Sequence, residues 1–155
     1  MNTVACETGG PLIGTNTDAG GFLTPLMHIG WQGDHAVVIG SGGAARAIVY
    51  GLAQTGVKNI TLMARDRAKA QDVLARAGAT GDVIAMDAAV PAADLLVNSS
   101  PLGMNGQLPL EIDLIPLPKR ALVYDIVYAP LETPLLAQAK ARGHKTVDGL
   151  EMLIG

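Results

Sequence analysis

A run of glycines, two nearby cations and one carboxylate are the residues of this 155-residue chain whose spacing suggests chemistry. The run is Gly40-Ser41-Gly42-Gly43-Ala44-Ala45, a match to Gly-x-Gly-x-x-Ala. It follows an apolar stretch over residues 35–40 and opens a stretch, 43–55, in which small and apolar residues recur at helical spacing. In a strand, turn and helix of that kind the first glycine allows the tight turn. The second lets backbone approach a pyrophosphate, and the small third residue lets helix and sheet pack closely. The anion then rests on free N–H groups at the helix N-terminus. A small-residue turn without a ligand is the alternative that the motif alone leaves open.

The end of the next strand selects the dinucleotide. A free ribose calls for a carboxylate there, and a 2′-phosphate calls for cations. The sequence offers Ala64-Arg65-Asp66-Arg67-Ala68-Lys69, with Arg65 directly after the strand and Lys69 four positions on, so both can face one phosphate. NADP is favoured. Asp66 either caps the following helix or contacts a ribose, and a solvated helix start is the plain alternative for the cations. The carboxylate is Asp18, in Gly14-Thr15-Asn16-Thr17-Asp18, read as the start of a helix over 18–28 and therefore equally as a cap.

These residues need a frame. Strands are expected at 35–40, 59–64, 82–86, 94–98, 121–127 and 145–147. Helices are expected at 43–55, at 66–77 with Gly78 as its stop, and at 133–142 with Thr133 as N-cap, Pro134 at the first position and Gly143 beyond the end. The alternation predicts an α/β, doubly wound parallel sheet with a Rossmann-like nucleotide-binding domain over 29–155. The segment 101–119, with four prolines and two glycines, reads as loop. Residues 1–28 stand outside the alternation, 2–14 resembling a strand and turn, and read as a remnant of a second, substrate-binding domain with its connecting helix.

Composition narrows the class further. Half the residues are hydrophobic and 16% are charged, a balance suited to a parallel sheet buried on both faces. A net charge of -3 offers no basic surface for nucleic acid. No apolar run reaches bilayer length and no signal peptide opens the chain, so a cytoplasmic protein away from membranes is expected. A single cysteine, Cys6, excludes an internal disulfide. His28, His35 and His144 lack metal-ligand spacing, and no metal is expected.

The chain resembles the shikimate dehydrogenase family, the NADP-dependent enzymes of aromatic amino-acid biosynthesis. The resemblance is carried, in order, by Asn2-Thr3, Gly14-Thr15-Asn16-Thr17-Asp18-x-x-Gly21, the glycine run and residues 64–70. It continues through Asn98-Ser99-Ser100-Pro101-Leu102-Gly103-Met104, Tyr124-Asp125-Ile126-Val127-Tyr128-x-Pro130, Thr133-Pro134-Leu135-Leu136 and Asp148-Gly149-Leu150-Glu151-Met152-Leu153. It implies reversible reduction of 3-dehydroshikimate to shikimate with NADP. Asp18 would work in the catalytic pair and contact the substrate, Asn2 and Tyr128 would be further substrate contacts, and Gly40, Ser41, Gly42, Gly43, Ala44 and Ala45 would carry the pyrophosphate. Arg65 and Lys69 would take the 2′-phosphate, and Ser100, Ile126, Gly149 and Met152 would line the nicotinamide half.

The family's catalytic lysine and carboxylate-gripping serines lie upstream of the matching segment, and a substrate-binding glutamine lies just beyond it. A chain lacking them is expected to bind NADP and turn over poorly, since acid/base assistance alone is worth on the order of 10² to 10⁴ in rate. Alanine at 64 and aspartate at 66 depart from the family's usual asparagine and threonine, so two of the hydrogen bonds that the resemblance implies around the adenosine phosphate are not carried over to this chain. A quinate/shikimate dehydrogenase using NAD or NADP, and a non-catalytic NADP-binding module, are the competing functions. Homodimerisation is left open. A helix stripped of its second domain is expected to expose apolar surface.

Overall fold

The computed structural model describes the backbone of residues 10–154 and the side chains of residues 19–152. Helix α1 spans Gly10–His28 and leads into strand β1, His35–Ile39. There follow α2 (Gly43–Gln54), β2 (Asn59–Met63), α3 (Arg67–Ala77), β3 (Gly81–Ile84), β4 (Leu95–Asn98), β5 (Leu122–Asp125), α4 (Pro134–Ala141), β6 (Thr146–Val147) and α5 (Gly149–Ile154). All strands are parallel, in the order β3-β2-β1-β4-β5-β6. The order reverses between β1 and β4. In a doubly wound sheet the crevice at that reversal, outside the carboxyl ends of the strands, is the ligand site.

The central strands are mostly apolar and buried because both faces are covered, β4 and β5 throughout and β1 and β2 after their first residue. Successive side chains alternate, so Ala36 and Val38 of β1 join the core shared with Phe22, Ile48, Leu52, Val73 and Tyr124. Val37 and Ile39 face the opposite core with Leu114, Leu117, Leu135 and Leu136. Segment 101–119 is loop, as read from its prolines, and it still covers this second face by burying Leu110, Leu114 and Leu117.

The helix ends follow local chemistry. Asp66 caps α3 by accepting from the Lys69 N–H at 3.0 Å, and Gly78 closes that helix in the left-handed region. Thr133 caps α4 through the Leu136 N–H, with Pro134 in the first turn. Two strands end two residues before the expected runs do, β3 at Ile84 and β5 at Asp125. Pairing sets the latter limit, because Asp125 lies beside Asn98, the last residue of β4.

The first helix corrects the sequence reading. It begins at Gly10 rather than Asp18, so residues 10–14 are helical and Asp18 lies near the middle instead of at an N-cap. Pro11 suits a first turn, whose N–H groups need no intrahelical partner, and no proline interrupts the run until Pro25. The helix lies on the sheet through Phe22, fully buried, whose ring stacks on Tyr124 with centroids 4.7 Å apart. The Tyr124 hydroxyl donates to the Phe22 carbonyl at 3.0 Å. A Cβ at Gly51 would stand 3.3 Å from Leu23, and one at Gly21 would stand 2.9 Å from the Met152 carbonyl oxygen, so glycines set the approach of α1 to α2 and α5. Among the described side chains of this helix, Met27 is 73% exposed.

Candidate functional site

Gly40 leaves β1 with φ at +114°, a conformation that disfavours any side chain, and a Cβ there would stand 2.7 Å from Ser99 Oγ. Its N–H donates to the Met63 carbonyl at 2.9 Å, while the Ser99 N–H donates to the Ile39 carbonyl at 2.9 Å. The turn is thereby pinned between the ends of β2 and β4. The next residues are open. A Cβ on Gly42 or Gly43 would meet nothing within 4 Å, no side chain caps α2 at Gly42, and no acidic residue occupies its first turn. The first N–H groups of α2 thus have no capping side chain, and the positive end of the helix dipole lies behind the open turn. That is the arrangement an anionic pyrophosphate requires, and the residues fit a bound dinucleotide.

A cleft of about 360 Å³ joins this turn to the cations. It is lined by Gly40, Ser41 and Gly42, by Arg65, Asp66 and Lys69, and by Ser99 and Ser100. Ala44 and Ala45 open α2 behind the turn, Ala45 being fully buried against the core. No described carboxylate pairs with Arg65 or Lys69. Asp66 is occupied in capping α3, which leaves the two cations to set the charge of this end. Met86 and Gln107 also line the cleft and were not singled out from the sequence, while Leu102 stood there only as part of the Asn98 to Met104 run. The place of Met86 at the carboxyl end of the strand expected over 82–86 was the available signal.

A second groove, about 320 Å³, shares Ser99, Ser100 and Pro101 with the first and continues along Ile126, Val127, Tyr128 and Ala129. The trough therefore runs from the phosphate-type cations to the end of β5. Ser100, Ile126 and Tyr128 meet in this groove. Gly149 backs onto it, since a Cβ there would stand 2.2 Å from the Ile126 carbonyl oxygen. Met152 packs against the core on the α1 side. Tyr128 stands at the rim, 57% exposed. Asn2 and the Asp18 side chain lie outside the described residues.

Beneath the trough sits a carboxyl group with no access to solvent. Burial pushes the Asp125 carboxyl above the ordinary carboxylate value, against hydrogen bonds donated by Val127, Thr133 and Asn98. Burial likewise holds the Tyr124 hydroxyl well above its usual range, helped by the charges of Glu151 and Asp148, so it remains a donor to Phe22. No group of three or more histidine, cysteine or acidic side chains that could hold a metal occurs among the described residues. No described helix is long and apolar enough to cross a membrane.

Residues 26–101 match the family model described as shikimate / quinate 5-dehydrogenase. A shikimate dehydrogenase (NADP(+)) of Sphingopyxis alaskensis is 54% identical over all of this chain and 57% of its own length. Among solved structures, a quinate dehydrogenase from Corynebacterium glutamicum in complex with NAD superposes with a TM-score of 0.80 at 34% identity, over 90% of this chain and 53% of that one. A shikimate 5-dehydrogenase from Thermus thermophilus, in complex with NADP(H) and shikimate, gives 0.75 at 34% identity over 89% and 52%. The chain spans a little over half the length of the curated relatives it matches. With the 3-2-1-4-5-6 sheet, the open glycine turn and this identity over its whole length, the chain belongs to the shikimate / quinate 5-dehydrogenase family.

Proposed function

We propose that residues 29–155 form the NADP-binding domain of a shikimate dehydrogenase, which interconverts 3-dehydroshikimate and shikimate, with residues 1–28 belonging to its substrate-binding part. The observation that carries this reading is the joining of Arg65 and Lys69 to the open Gly40 turn in one cleft. Residues 40–45 would hold the pyrophosphate on backbone N–H groups, and the two cations would hold the 2′-phosphate as charge-assisted hydrogen bonds. Ser100, Ile126, Gly149 and Met152 would border the nicotinamide half. Bound NADP(H) would supply the hydride donor or acceptor. Tyr128 at the rim, Asn2 and Asp18 would contact the substrate, with Asp18 serving the hydroxyl proton as a general acid/base.

The nearest competing reading, a quinate-type enzyme using NAD, is favoured by the Corynebacterium neighbour but not by Asp66, whose carboxylate is engaged by the Lys69 N–H rather than free for a ribose. Calorimetric titration of the chain with NADP and, separately, NAD tests the choice. Saturable binding of NADP over NAD is expected. A folded chain that binds neither would overturn the cofactor reading of the Gly40 turn.

A further inference from the structure

The two walls of the nicotinamide groove are tied together from below by side chains to which the proposed chemistry gives no role. Asn98 ends β4 and Asp125 ends β5; they pair in register, and both are fully buried. Asn98 Oδ1 accepts from the Ser100 N–H at 3.0 Å and from the Ser100 hydroxyl at 2.6 Å. Asn98 Nδ2 donates to the Leu102 carbonyl at 3.0 Å and to Asp125 Oδ1 at 3.2 Å. Asp125 Oδ1 also accepts from the Val127 N–H at 3.0 Å, and Oδ2 accepts from the Thr133 hydroxyl at 2.8 Å. That hydroxyl oxygen in turn accepts from the Leu136 N–H at 3.2 Å, the cap of α4. One carboxyl group thus connects the turn after β4, the turn after β5 and the start of α4.

None of the donors to Asp125 is cationic. Burying a carboxylate on neutral partners alone is expensive, and a fold that needed only packing at this position would be served by an apolar residue. What a carboxylate offers is acceptance from three donors with no proton of its own to place. Asparagine at 125 keeps one acceptor oxygen, so its N–H₂ would face either the Thr133 hydroxyl or the Asn98 Nδ2 and Val127 N–H, and in either orientation a donor loses its acceptor.

We propose that Asp125 is a positioning residue for the nicotinamide half of the cofactor. It fixes the Ser100 wall, through Asn98, and the Ile126 to Tyr128 wall, through the Val127 N–H, at one separation. This rests on the nucleotide-binding reading above. None of its hydrogen bonds reaches Arg65 or Lys69, so its effect is confined to one end of the trough.

The test titrates the purified chain with adenosine 2′,5′-bisphosphate, which carries only the adenosine half, and with NADPH, followed by the emission of the reduced nicotinamide. For Asp125→Asn the bisphosphate should bind as to the parent chain, while NADPH weakens by about tenfold, the size of one lost hydrogen-bonded restraint, and its emission gain on binding falls. A general loosening of the fold would weaken both probes together and would overturn the proposal, as would a variant indistinguishable from the parent with NADPH. A parent chain that binds neither probe overturns the nucleotide reading and this inference with it. Should Asp125→Asn not fold, Thr133→Val decides. It removes the hydroxyl donated to Asp125 at a residue that lines neither groove, and it should show the same split between probes; no split would sink the idea.

Discussion

At Gly42 the requirements of the fold and those of the ligand separate cleanly. Its φ is -88° and an added Cβ would meet nothing, so the fold tolerates a side chain there. Aspartate is also a better N-cap than glycine by about a few tenths of a kcal/mol. Gly42→Asp is therefore expected to melt at or slightly above the parent temperature while losing NADP binding, because its carboxylate fills and neutralises the anion site. Retained NADP affinity in calorimetry would count against the pyrophosphate assignment. At the other end of the cleft, Arg65→Ala and Lys69→Ala each remove one charge-assisted contact. Each should weaken NADP by about 10- to 100-fold with little change for NAD. Equal losses for both dinucleotides would mean that the cations do not read the 2′-phosphate. The cations and the glycine turn were legible in sequence because their roles depend on neighbours within about one helical turn. The Asn98 to Asp125 pair was visible only as part of a family motif. A lone acidic residue inside the apolar run from Ala121 to Tyr128 was the clue to a buried carboxylate.

At the scale of elements, the joint between α1 and the sheet is held by Asp94. Its carboxylate accepts from the Asp34 and His35 N–H groups at 2.8 and 3.1 Å and from Arg120 at 2.9 Å, and Trp31 Nε1 donates to its carbonyl. Burial opposes ionisation, but the two N–H groups and the guanidinium outweigh it and hold the group below its ordinary 3.8. The unfolded chain therefore binds this proton more readily than the native one. The stabilisation is complete above that ordinary value and is lost as pH falls through the lower native value. In urea unfolding, Asp94→Ala should cost about 1 to 3 kcal/mol at neutral pH, with the gap to the parent narrowing below pH 3.8. Arg120 is 72% exposed, so Arg120→Ala should cost less than about 1 kcal/mol. A gap that widened in acid would contradict this account of the joint. Helix ends at Asp66, Gly78, Thr133 and Pro134 were readable because caps are local. The start of α1 was misread because an aspartate followed by apolar residues is a start signal that a longer helix can override.

Over the whole molecule, α1 lies on one face of the sheet, and the Tyr124 hydroxyl ties it there by a hydrogen bond. Tyr124→Phe keeps the stack on Phe22 and removes the hydrogen bond to the Phe22 carbonyl. The expected loss is about 0.5 to 1.5 kcal/mol of global stability, accompanied by faster amide exchange along α1 than along β1 or β4. Uniform acceleration across the sheet would show instead that the hydroxyl supports the core as a whole. The crevice between β1 and β4 belongs to this scale too, since it exists only where the strand order reverses.

The sequence by itself determined the alternation of strands and helices, the glycine turn, the cationic end of the cleft and the family. Those are written in periodicity, in conformational demands such as that of Gly40, and in short runs of residues that must act together. Tertiary structure alone decided that Asn98 and Asp125 stand side by side, that Ser100 and Tyr128 share a groove, and that Tyr124 reaches back to Phe22. Each of those pairs is created by strand register or helix docking between residues 27, 28 and 102 positions apart, distances at which no local pattern carries information.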